Sequence, residues 1–231
     1  MPEKKIKPAV PEFAGFTPEA QDFFWELQFN NERPWFKEHK EQFEKCLNTP
    51  FKALAMETEE LMHKSFPDVE LNLHISKIYR DARRLFGRGP YKDNLWFTLM
   101  QHQGAINAPA FFFEITPRGY SYGMGYYCEK PSEMEKFRKT VASNPTAFER
   151  LALEAENVPG MMLEGELYKK PKGNFGEVIN RWYNRKWMSL VSNNDYDEKL
   201  FSPDLPHVLA ETFEQLMPMY EYFNTISMRE D

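Results

Sequence analysis

Apolar residues recur at helical spacing through the first third of the chain. In residues 15–31, GFTPEAQDFFWELQFNN, Ala20, Phe23, Phe24 and Leu27 fall on one face. Thr17 followed by Pro18 marks a helix start, and Asn30 and Asn31 end it. A second helix is predicted from Pro34, with Trp35, Phe36, His39, Phe43, Cys46 and Leu47 on one stripe. A third follows from Thr49 and Pro50, with Phe51, Leu54, Leu61 and Met62. The pattern then changes to period two with aromatic and β-branched residues, predicting strands near 72–79, 95–100, 110–115 and 120–127. Connections such as TPRG, Thr116 to Gly119, suit antiparallel hairpins. Helical periodicity returns after Pro131, in residues 132–142 and 145–156. It returns again in the stripe Leu205, Val208, Leu209, Phe213, Leu216 and Tyr220, which Pro218 must kink or end. Residues 157–177 are too rich in Gly, Pro and Lys to assign.

Helices, then strands, then helices predict the α+β class: an antiparallel sheet of about four strands flanked by N-terminal and C-terminal helices. Residues 1–12 read as a flexible leader and 13–231 as one α+β domain. The apolar fraction of 42%, with 20 Phe, 11 Tyr and 5 Trp, supplies the bulk for a folded core. No apolar run approaches the roughly 18 residues of a membrane span, and no signal-peptide core follows the charged start. The expectation is a cytoplasmic protein with Cys46 and Cys128 as reduced thiols rather than a staple.

Charge changes this picture in one place. The chain carries a net charge of −6, yet between Lys77 and Lys92 six cations (Lys77, Arg80, Arg83, Arg84, Arg88, Lys92) face one acid, Asp81, for a local charge of +5. Arginine forks suit bidentate capture of phosphate or carboxylate, and the hydroxyls of Tyr79 and Tyr91 add neutral donors. Asp81 stands beside Arg80, where it could orient the fork. Gly87, Gly89 and Pro90 supply a turn that brings Tyr91 and Lys92 back toward Arg80 and Arg83. A candidate anion site therefore comprises Tyr79, Arg80, Asp81, Arg83, Tyr91 and Lys92, against the alternative that these cations pair with neighbouring acids.

Other signatures point to no reaction. The histidines are scattered, and H-E-x-x-H, C-x-x-C, G-x-S-x-G and Walker patterns are missing. Neither a cofactor nor a metal is expected. His39, four residues from Trp35 on an apolar stripe, reads as a hydrogen-bonded histidine at the edge of the core. The glycines of GYSYGMGYY lie in a strand pattern, where close backbone approach is their usual meaning.

The frame from Lys77 to Lys92, with Ile78-Tyr79-Arg80-Asp81, Arg83 and Pro90-Tyr91-Lys92 in order, resembles the core motif of the bacterial and fungal family called domain of unknown function 2461. The segment from Gly15 to Phe36, with Asn30-Asn31 before Trp35-Phe36, is similar to that family's start, and FEQLMPMYEYFN to its end. The resemblance implies one α+β domain and no known activity. The sequence departs from the family pattern at Arg84, Gly87 and Gly89, where an aromatic, an acid and a small hydroxyl residue usually stand. The change favours anion binding over chemistry needing a second carboxylate.

Three functions compete on these residues. One is a site for a small phosphorylated or carboxylated ligand, over which the basic stretch 168–173 could close. Another is nucleic-acid binding with Tyr79 or Trp182 stacking on bases, disfavoured by the overall acidity. The third is docking of acidic protein partners. No membrane association is expected, and the oligomeric state is not legible.

Overall fold

Pro18, whose missing N–H costs nothing at a helix start, opens α1 (Pro18–Phe29), which buries Ala20, Phe23, Phe24 and Leu27 as the spacing predicts. The computed structural model describes residues 11–81, 83, 85, 87–101, 107–127 and 131–229, so most of the predicted leader lies outside the described residues. The predicted second helix is broken into α2 (Arg33–Glu38), α3 (Lys40–Phe43) and a π-helical turn, Glu44–Asn48, that runs straight into α4 (Thr49–Ser65). Pro50 accounts for the wide turn. Its ring would clash with the carbonyl four residues back, at Cys46. Instead the N–H of Thr49 reaches Glu44 O, five residues back, and the helix continues through the proline.

The strands form one antiparallel sheet in the order β1-β2-β3-β4-β6-β5. They are β1 (Asn72–Ile75), β2 (Leu95–Met100), β3 (Pro109–Thr116), β4 (Gly119–Tyr126), β5 (Met162–Glu164) and β6 (Met188–Asn194). Among the described residues six strands thus replace the expected four or so. Of the two additional ones, β5 lies in the unassigned stretch 157–177 and has only three residues, while β6 lies beyond it and pairs with β4 by bringing Leu190 opposite Met124. Gly123 permits that pairing, since a Cβ there would sit 2.0 Å from Leu190 O. β1 is shorter than predicted because Ser76 intervenes. Its hydroxyl accepts from Trp96 N in place of a backbone carbonyl, and the chain peels away from β2.

One face of the sheet is the core. Phe97, Phe111, Phe113, Met124 and Leu190 alternate inward and are buried. Over them lies α9 (Leu205–Ser227), whose Phe213 and Tyr220 stack on Phe111 at 4.9 and 4.7 Å between ring centroids. Pro218 does not end this helix. α4 packs beside α9, while α5 (Pro131–Ser143), α6 (Pro145–Glu156) and the short α7 (Glu177–Tyr183) close the β6 end around Trp182. A short α8 (Glu198–Phe201) precedes α9. The opposite face alternates half-buried residues, Trp96, Thr98, Phe112, Glu114 and Ser121 among them. Among the described residues no helix is long and apolar enough to cross a membrane.

Candidate functional site

The cationic segment is the β1–β2 connection, and it folds back on itself. Tyr79 and Tyr91 form an isolated antiparallel bridge, closed by Arg80 N donating to Pro90 O at 2.8 Å and Lys92 N to Ile78 O at 2.7 Å. In that pairing the N–H and C=O of Tyr91 point away from Tyr79. The amide of Asn31 takes both: Oδ1 accepts from Tyr91 N and Nδ2 donates to Tyr91 O, each at 3.0 Å. Gly89 makes room for it, because a Cβ there would lie 2.3 Å from Asn31 Cγ. Gly87, with φ of +79°, adopts the left-handed conformation that turns the chain. The two glycines thus have structural roles, one for the turn and one for the approach of Asn31.

This clamp orients Arg80. Its Nε donates to Tyr91 O at 2.8 Å, and one terminal nitrogen reaches Asp93 Oδ1 at 3.4 Å. Its side chain is largely covered, with 17% exposed. Lys92 is held nearby with its Nζ 5.7 Å from the centre of the Trp96 ring. Burial, then the repulsion of Arg80, hold the Lys92 ammonium below its ordinary pKa, with Glu114 pulling the other way. Glu114 accepts a hydrogen bond from Asn94. Among the described residues no carboxylate lies within ion-pair distance of Lys92.

The remaining predicted residues are placed differently. Asp81 does not hold Arg80. It takes Arg83 in a bidentate pair, with contacts of 2.7 to 3.2 Å, out in solvent. Tyr91 is 4% exposed and stacks on Phe36 at 4.1 Å, so its ring belongs to the core. Burial pushes its hydroxyl pKa up, as does the neighbouring Tyr79. Tyr79 is exposed and meets Phe36 edge-on. Arg84 lies outside the described residues. The basic stretch 168–173 does not lie over the segment: Tyr168 packs on Arg138 of α5 at 4.8 Å, at the far end of the sheet. Trp182 is fully buried, its indole N–H donating to Glu156, and stacks on no external base.

His39 behaves as the sequence indicates, with Nδ1 bonded to Trp35 O at 2.8 Å and the ring stacked on Trp35. Trp35 is itself only half-buried, so the stripe's first residue lies at its margin. Cys46 is buried and free; Cys128 and His102 lie outside the described residues.

Sequence reasoning overlooked the polar side of the sheet. The register aligns Trp96, Glu114, Ser121 and Asn193 in one row across β2, β3, β4 and β6. Beyond Glu114 the row opens into a cleft of about 430 Å³ that includes Ser121, Arg118, Asn193 and Asp195. The signal was Thr98, Glu114, Thr116 and Ser121, polar residues at alternate positions of strands read only for their apolar half. Arg80 and Lys92 stand at the β1 side of this row.

A search of curated proteins finds no match. The profile of the family described as conserved hypothetical protein DUF2461 matches residues 19–222, most of the chain, and spans both the Asn31 clamp and the Arg80–Lys92 pair. This chain therefore belongs to the DUF2461 family.

Proposed function

We propose that the protein binds a small phosphorylated or carboxylated ligand, whose anionic group sits between Arg80 and Lys92 and whose body lies along the row from Trp96 toward Glu114 and Ser121. The observation that carries this reading is the pairing of two partly buried cations that repel one another, of which Lys92 has no carboxylate in ion-pair reach among the described residues. Such a pair costs the folded state free energy that a bound anion would offset. The Arg80 fork is pre-oriented by Tyr91 O, so little side-chain freedom is lost on binding. Trp96 offers a flat apolar wall. Glu114 and Ser121 offer an acceptor and a hydroxyl to hydroxyl groups of the ligand. Arg83, Asp81 and the tyrosines stand outside the contact set, as flank and support.

The test is thermal unfolding in phosphate, sulfate, citrate and sugar phosphates at matched ionic strength, for the native chain, Arg80→Ala, Lys92→Met and Arg83→Ala. At a ligand concentration near 100 times Kd the expected protection is about 2.7 kcal/mol, or about 5 to 10 °C in a chain of this length. It should disappear in the first two variants and persist in Arg83→Ala. Absence of any anion-specific protection, or its survival in both Arg80→Ala and Lys92→Met, would overturn the proposal.

A further inference from the structure

Lys77, a cation of the same segment that this reading leaves out, belongs to a different cavity. Its side of the Tyr79–Tyr91 bridge faces α3, the π-helical turn and α4, and between them lies a pocket of about 370 Å³. Phe36, Phe43, Ile75 and Ile78 contribute an apolar floor. Three lysines line it from three separate elements: Lys40 from α3, Lys52 from α4 and Lys77 from the segment after β1. Among the described residues none of the three has a carboxylate in ion-pair reach, although the chain carries an excess of acids. The one acid in the wall, Glu44, accepts a hydrogen bond from the amide of Asn48. Both residues belong to the π-helical turn, which the helix adopts to pass Pro50, and π-turns occur often at functional sites.

We propose that this cavity is a second ligand site, for a small phosphate monoester carrying an apolar or aromatic group. Three ammonium groups against one carboxylate leave a charge of +2 facing the pocket, which matches a phosphate dianion and disfavours neutral molecules. The floor of Phe36, Phe43, Ile75 and Ile78 receives the apolar part, and the exposed ring of Tyr79 stands at the rim for a planar group to stack on. The volume lies at the low end for ligand pockets, which fits a compact molecule rather than a polymer. The bridge that carries Tyr79 toward this pocket carries Lys92 toward the sheet face, so one folded segment would serve two anion sites of different shape.

Nuclear magnetic resonance separates the two sites. Phenyl phosphate is titrated into the full chain, with phenol as the neutral control. Amide shifts at Glu44–Asn48 and Lys77 report this pocket, and those at Lys92–Trp96 report the Arg80–Lys92 site. Saturable shifts at Glu44–Asn48 are expected with phenyl phosphate and not with phenol. Lys52→Met and Lys77→Met should each weaken them about tenfold, the low end for a charge-assisted hydrogen bond at a partly open site. Three results would overturn the inference: no saturable shift at Glu44–Asn48, equal shifts with phenol, or full affinity in both lysine variants. Shifts confined to Lys92–Trp96 would overturn it while supporting the first site.

Discussion

Replacing Asn31 with alanine should loosen the whole cationic segment. The wild-type amide makes two hydrogen bonds of 3.0 Å to the backbone of Tyr91. Tyr91 O keeps a second donor, Arg80 Nε, so the substitution orphans only the Tyr91 N–H. One lost bond is worth about 0.5 to 1.5 kcal/mol net, and a part-buried donor left unsatisfied costs about 1 to 3 kcal/mol. An overall loss near 2 kcal/mol is expected, lowering Tm by about 4 to 8 °C for a chain of this length. Asn30→Ala is the control. Among the described residues that amide bonds Glu26 O alone, at an exposed position, and its loss should fall within about 0.5 kcal/mol.

Gly89→Ala tests the same contact from the other side. Its Cβ would meet Asn31 Cγ at 2.3 Å and Asn31 O at 2.5 Å. The side-chain part of that clash vanishes in an Asn31→Ala background while the backbone part remains. Gly89→Ala should therefore cost less there than in the native chain, a measurable departure from additivity. Denaturant unfolding with an unchanged m-value is the assay. An Asn31→Ala midpoint indistinguishable from that of Asn30→Ala, or strict additivity with Gly89→Ala, would refute the clamp.

Two further outcomes follow from burial. Phe36→Ala should cost about 3 to 5 kcal/mol, since its ring is buried and stacked on Tyr91, while Trp35→Ala, at the half-buried margin, should cost about half as much; equal losses in chemical denaturation would contradict this ordering. Burial pushes the Cys46 thiol up to about 12 from 9.0, so alkylation at Cys46, followed by peptide mass spectrometry, should be slow in the folded chain near about pH 8 and fast in urea. The stability this thiol contributes is intact below 9.0 and declines as pH rises from there toward 12, because the unfolded chain gives up the proton first. Comparable alkylation rates in the folded and unfolded states would contradict both statements.

Periodicity made much of the fold legible. The buried face of α1, the limits of β2 and α6, and the inward alternation of Phe111 and Phe113 follow from spacing alone. What it missed depends on single contacts made across the chain. The helical stripe from Trp35 to Leu47 has the right period, but Pro50 forces a wider turn that period counting cannot detect. The strand pattern of residues 72–79 continues past Ser76, whose hydroxyl ends the pairing. β5 has only three residues, too few for an alternation to stand out. At the site, the charge contrast located the segment and the glycines its turn. Asp81 stands next to Arg80 and two residues from Arg83, and adjacency in sequence favoured the wrong fork. Asn31, 60 residues from Tyr91, carried no charge to mark it, and only its likeness to the family start singled it out.

The Arg80–Lys92 pair is tested most directly at the Lys92 side chain itself, by following its Nζ resonance against pH in chloride and in sulfate at equal ionic strength. In chloride, burial and Arg80 should place its pKa below the ordinary 10.5. A bound anion favours the charged ammonium, so sulfate should raise that pKa. By the same linkage, sulfate affinity should hold at pH values below the lowered pKa and fade as pH climbs through it. Arg80→Ala should raise the chloride value by removing the repulsion and should abolish the response to sulfate. A Lys92 pKa already at 10.5 in chloride, or one that sulfate leaves unmoved in the native chain, would contradict the account.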